Sequence, residues 1–436
     1  MLRFSVPVLM ALALCMSLIA SQVIASPLLT VDTFSAEEKL ENSEAEEIFR
    51  RGIQALLDED HVEAERAFKD AASLQPHSAA PLLGLAEVAR ARGQISEAEA
   101  LLASARTLEA NQPSVHLAHG RFLRNQRDYA GAERAFLEST RVAGASAPGL
   151  LELGDLYLEL RRPDESEKRF RQALELRSDS AFAHYGLGVA LSMQGRSDEA
   201  LAALRKATEI APRDPAPLQA LGRLHAERGE WDLALSRIDE ALALAPHSPS
   251  MRLDRAEWLS ARGDIESGIA AAEAVSADFP RLAEAHFRRA NLLLRAGHRE
   301  SAEQALNQTI SLEPDNPVAL NNLAWLLADR NAQLDEALGF SRRATKLAPS
   351  NPFFVHTLGR VHKARGEMSE GAAEFRKVNA MAPDYADAHY HLGLVLMALD
   401  DPQGAEKSLQ KALDLGLNED RRADALGRLA TLRAGR

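Results

Sequence analysis

The chain has 436 residues and a formal net charge of −12, and no Lys/Arg-rich block occurs in it. An acidic surface of this kind repels phosphate backbones and argues against a nucleic-acid partner. Ala, Leu, Glu and Arg dominate while aromatics make up 5%, the composition of helices packed on helices.

The first 25 residues stand apart. Arg3 is the only charge before Asp32, residues 4–20 are almost wholly apolar, and Val23-Ile24-Ala25 precedes Ser26-Pro27. A basic start, an apolar stretch and a small-residue cleavage site predict a signal peptide at 1–25 and an exported product, periplasmic or secreted. The alternative is an uncleaved N-terminal helix anchoring the chain to a membrane. Cys15 is the only cysteine, and it follows Leu14 inside the apolar stretch, not the small residue that a lipoprotein signal needs. Cleavage after Ala25 leaves no thiol for disulfides, nucleophilic attack or metal binding. Residues 26–44 read as an acidic tether.

From residue 45 onward the chain repeats itself every 34 positions. Gly52, Ala86, Gly120, Gly154, Gly188, Gly222, Ala256, Ala290 and Ala324 form one ladder, continued by Gly359 and Gly393 after one extra residue. Twelve positions on runs a second ladder, from Ala64, Ala98, Ala132 and Ser166 to Ala337, Gly371 and Ala405. Each unit reads as two amphipathic helices, A and B, with apolar residues at i, i+3, i+4 and i+7. The small residues lie where the pair approaches closely. A third ladder closes most units with proline, at Pro76, Pro212, Pro246, Pro280, Pro314, Pro349 and Pro383, which stops helix B. Ala110, Gly144, Ser178 and Leu417 depart from it. The units fall at 45–78, 79–112, 113–146, 147–180, 181–214, 215–248, 249–282, 283–316, 317–351, 352–385 and 386–419. Gly268 and Ala272 make unit seven look thinly packed and open to flexing. The extra residue of unit nine falls within 328–335. Residues 420–436 form a last helix that Asn418 can cap, with Leu426 and Leu429 over the final repeat and Arg421, Arg422, Arg428 and Arg433 in water.

This pattern resembles the tetratricopeptide repeat family. Unit four carries its signature best, with Leu150, Leu153, Gly154 and Tyr157 on helix A and Ser166, Phe170 and Ala173 on helix B. The resemblance implies an all-α, right-handed α-solenoid of eleven repeats, 45–419, with helices A lining a concave groove. It also implies that residues two, five, nine, twelve and thirteen of each unit face that groove. Transferred to units eight to eleven, these positions give Phe287, Asn291, Arg295, Asn321, Trp325, Phe353, His356, Arg360, Lys363 and Tyr390. Unit five adds Phe182 and Tyr185. Aromatic area, amides and cations are what peptide-reading surfaces use, and Trp325 is the expected anchor. The carboxylate clamp of chaperone-binding members is broken here. Asn291 and Asn322 match it, but Phe287, Phe353 and Thr357 replace its cations.

No catalytic constellation accompanies the repeats. No strand precedes a Gly-rich loop, and His389 and His391 at i, i+2 point apart on a helix. His116 and His119, at i, i+3, have no acidic partner at helical spacing to complete a metal set. The expected function is a non-catalytic interaction scaffold without cofactor or metal, binding protein or peptide segments in the groove and serving envelope or export-machinery assembly. The alternatives are a glycan- or small-ligand-binding solenoid and a membrane-anchored regulatory subunit of an enzyme complex.

Overall fold

The computed structural model describes residues 43–142, 144 and 147–434. The expected signal peptide and all but the end of the tether lie outside them. The described residues form 23 helices and no strand. They fall into two compact units, divided between Gly229 and Glu230.

The first unit holds α1 (Ser43–Leu57), α2 (His61–Leu74), α3 (Ala80–Ala91), α4 (Ile95–Leu108), α5 (Pro113–Asn125), α6 (Tyr129–Val142), α7 (Ala147–Glu159), α8 (Pro163–Leu176), α9 (Ala181–Met193), α10 (Ser197–Ile210) and α11 (Pro215–Glu227). The second holds α12 (Trp231–Leu244), α13 (Pro249–Arg262), α14 (Ile265–Asp278), α15 (Ala283–Ala296), α16 (Arg299–Leu312), α17 (Pro317–Asp329), α18 (Leu334–Leu347), α19 (Pro352–Ala364), α20 (Met368–Met381), α21 (Ala386–Ala398), α22 (Pro402–Leu415) and α23 (Glu419–Ala434). Odd-numbered helices through α21 are A helices and even-numbered ones are B helices. Within each unit an A helix packs on its own B helix, on the preceding B helix and on the neighbouring A helices. Successive A helices touch one another, so within each unit they form a continuous face.

Local chemistry explains the boundaries. Asn316 and Asn351 cap α17 and α19 through backbone N–H groups of Ala319 and Phe353, and Pro317 and Pro352 open those helices. Every A–B turn contains one left-handed residue at the fifteenth position of its repeat: Glu59, Gly93, Arg127, Arg161, Gly195, Gly229, Gly263, Gly297, Asn331, Gly366 and Asp400. Six are glycine, the residue with no Cβ to clash in that conformation. The extra residue of repeat nine follows this turn, and Gln333 there is left-handed as well.

The small-residue ladders mark close approach. A Cβ on Gly188 would meet Leu204 Cγ at 2.6 Å, and one on Gly359 would meet Phe375 at 2.8 Å. Gly268 corrects the expectation of thin packing in repeat seven. A Cβ there would lie 2.6 Å from the Ala256 carbonyl oxygen and 2.9 Å from Ser260 Cβ, so the glycine marks backbone-level contact between α13 and α14. The last helix departs in part from expectation. Asn418 does cap it, its Oδ1 accepting from the Arg421 N–H at 3.0 Å. Ala425 and Leu429 are buried, but Leu426 is half exposed. Arg421 and Arg433 are not simply in water, because they pair with Asp387 and Glu406 of repeat eleven.

The histidines that looked paired in sequence have separate roles. His116, His184, His286 and His389 each occupy the fourth position of a repeat. Each donates its Nε2–H to the carbonyl six residues earlier, at Ala110 (2.8 Å), Ser178 (3.1 Å), Pro280 (3.0 Å) and Pro383 (3.0 Å). Those carbonyls lie at the position of the third ladder, two of them on its prolines, so the imidazole ties the inter-repeat turn to the next A helix. His119 lies against Arg106, and burial followed by that guanidinium holds its pKa down to about 4. Among the described residues no group of three His, Cys, Asp or Glu is placed to hold a metal ion.

Candidate functional site: the A-helix face of repeats eight to eleven

The ten residues expected in the groove divide by burial. Phe287, His356 and Tyr390 are buried and offer no surface to a partner. Phe287 packs in the core with Leu253, Ala256 and Leu320. His356 packs at a tilt against Phe375, Tyr385 and His391 at ring-centroid distances of 5.5, 5.0 and 5.2 Å. The Tyr390 hydroxyl donates to Asp424 Oδ2 at 2.8 Å, and burial together with that bond pushes its pKa up to about 12. Repeat position alone cannot tell a ring that lines the face from one that fills the seam beneath it.

The other seven are half-buried. Trp325 packs on the core, with the guanidinium carbons of Arg299 and Arg360 at 5.9 and 5.4 Å from its ring centroid. Both arginines bind Asp329, one turn beyond Trp325 on α17, at 2.5 and 2.9 Å. The charge expected of Arg360 toward a partner is therefore already matched inside the chain. Phe353 meets Tyr385 edge-on at 5.2 Å.

Three amides cross from α15 to α17. Asn322 Nδ2 donates to Asn291 Oδ1 at 3.5 Å, and Asn321 Nδ2 to Asn322 Oδ1 at 3.4 Å. These are long bonds, and Asn321 Oδ1 has no partner. The amides are held in place with much of their hydrogen-bonding capacity unspent.

Most cations on this face are neutralised by carboxylates of a neighbouring repeat or of their own helix. Arg288 binds Asp254 and Glu284, each at 2.8 Å. In the first unit Arg124 binds Asp155 and Glu159 at 2.8 and 2.7 Å. Arg295 and Lys363 differ, since neither has a hydrogen bond or ion pair among the described residues. Burial lowers the pKa of both. Glu257 pulls that of Arg295 back up, whereas Arg360 lowers that of Lys363 further.

Comparison with known proteins agrees with this architecture. A tetratricopeptide repeat family model matches residues 151–215, 220–280, 287–352 and 356–432, and a second model of that name matches 55–122. The chain belongs to the tetratricopeptide repeat family. Repeats of this family build protein-interaction scaffolds. A tetratricopeptide-repeat-containing protein of Pseudomonas aeruginosa is 34% identical over 91 residues, which is 21% of this chain and 15% of that protein. The chain thus spans only a small part of that curated relative. Among solved structures, the APC/C hetero-tetramer Cut9–Hcn1 matches with a TM-score of 0.50 and 13% identity, covering 92% of this chain and 99% of that one. Yeast Tom70 matches with a TM-score of 0.43 and 14% identity over 90% of this chain and 96% of its own. The first of these shows a shared fold.

Proposed function

We propose that this chain is an exported, non-catalytic scaffold that holds an extended segment of another protein along the A-helix face of repeats eight to ten, in assembly of envelope or export machinery. The observation that carries the binding site is the row Asn291, Asn322 and Asn321, half-buried, pre-positioned and bonded only loosely to one another. Side-chain amides both donate and accept, so they match the N–H and C=O groups of an extended backbone. Sugar binding asks for exposed aromatic platforms, and Trp325, Phe353 and Tyr390 are clasped or buried instead. Export rests on the N-terminal sequence pattern.

The test is affinity purification from the native envelope with the wild type, an Asn291→Ala/Asn322→Ala double variant and a B-helix control, Lys411→Met. A protein held by wild type and control but lost from the double variant supports the site. Equal retention by all three overturns it. Mature protein from its host is expected to begin at or near Ser26, and an intact Met1 terminus would overturn cleavage.

A further inference from the structure

At the C-terminal end of this face, α16, α17, α19, α21 and α23 bring five cations together with three carboxylates. Asp329 is taken by Arg299 and Arg360. Asp387 is taken by Arg421 at 2.5 Å, and Asp424 by Arg428 at 2.6 Å and by the Tyr390 hydroxyl. Lys363, on α19, makes no ion pair, and Asp424, already taken by Arg428 and Tyr390, acts on it only at longer range. Buried polar groups of the same cluster are also unspent. His356 Nε2, both ring nitrogens of His391 and the Tyr385 hydroxyl lack a partner, and the two histidines are only 6% and 7% exposed. A half-buried ammonium among other cations is destabilised unless a negative group joins it. Each arginine of this cluster has such a group.

We propose that Lys363, with Arg421 and Arg428 beside it, receives a carboxylate side chain from an acidic segment of a partner protein. This rests on the reading that the amide row holds an extended chain. The second unmatched cation, Arg295, lies two repeats earlier on the same face, on the helix that carries Asn291, with Asn321 and Asn322 on the A helix between. An extended acidic segment offers a separate carboxylate to each cation, whereas a free phosphate or a lipid headgroup satisfies one. The residues are distinct from the broken clamp positions, and the cap helix α23 contributes two of them.

The probe is a fluorescein-labelled peptide of alternating aspartate and leucine, about eight residues long and amidated at its C-terminus, so that only side-chain carboxylates are offered. Its binding to the full chain is followed by anisotropy at low salt and at several-fold higher NaCl. Salt-sensitive binding is expected, weakened at least roughly fivefold by Lys363→Met and by exchanging aspartate for asparagine in the peptide, and unchanged by Lys411→Met. Bound peptide should also slow acylation of the Lys363 amine, read by mass spectrometry on the wild type, so the result does not depend on the variant folding. Equal binding of the neutral peptide, unaltered binding by Lys363→Met, or unslowed acylation overturns the proposal. Full displacement by equimolar inorganic phosphate overturns it in favour of a small-anion site. A natural partner that Lys363→Met retains and Asn291→Ala/Asn322→Ala loses would remove this inference and leave the groove reading standing.

Discussion

Two guanidinium groups that share one carboxylate lie over the Trp325 ring. Truncating it removes core contact and two cation–π contacts together. Trp325→Ala is therefore expected to cost about 2 kcal/mol of stability, seen as a lower urea midpoint. Weakened partner binding at an unchanged midpoint would restore the surface-anchor role that its repeat position suggests. His356 and His391 give a pH dependence. Burial holds both well below the ordinary histidine value, with Arg360 next in effect on His356 and His356 next on His391. Arg360 and Lys363 of α19 and Arg421 of α23 face them, with Phe375 of α20 and Tyr385 and Tyr390 as ring neighbours. A depressed folded-state pKa means full stability above the unfolded value of about 6.5 and loss as pH falls below it. The loss is up to about 1.4 kcal/mol per pH unit for each histidine. His391→Phe keeps a ring and removes one titration, so its urea midpoint should fall less than that of the wild type between about pH 7.5 and about pH 5.5. A fall equal to wild type would mean that folding does not lower the His391 pKa. The sequence placed these residues on the right helices but hid their partners. Those partners sit about one repeat away, as with Arg360 and Asp329 at a separation of 31 or Arg365 and Asp335 at 30. Opposite charges spaced by nearly one repeat were the readable signal.

Helix pairs and their small-residue contacts were legible because close approach demands Gly or Ala, and composition shows that directly. The left-handed position fifteen was half legible, through its six glycines. The other five turns carry Glu59, Arg127, Arg161, Asn331 and Asp400, where side-chain identity conceals a shared backbone. An L-residue there costs roughly 1–2 kcal/mol, partly offset in glycine by its larger loss of chain entropy. Arg127→Gly is thus expected to stabilise the protein by about 0.5 kcal/mol, as a raised melting temperature. A fall would mean that the Arg127 side chain contributes more than the strain it imposes. The histidine that reaches back to the turn carbonyl was not legible, because its acceptor is main chain and leaves no mark in the sequence.

Within each compact unit the packing runs only between near neighbours along the chain, so damage should stay local. Gly268→Leu would drive a side chain into the Ala256 carbonyl. Hydrogen exchange should then show lost protection in residues 249–296 and native protection in 43–142. Protection lost along the whole chain would instead mean that the protein unfolds as one cooperative body. The same locality gives the turn of repeat nine a practical use. Its extra residue sits beside two left-handed positions, Asn331 and Gln333, and both side chains are exposed. The helices on either side already tolerate a longer connection than any other repeat has. A short epitope or fluorophore-bearing tag inserted between Ala332 and Gln333 therefore offers a way to follow this protein in its native setting without touching the amide row or Lys363.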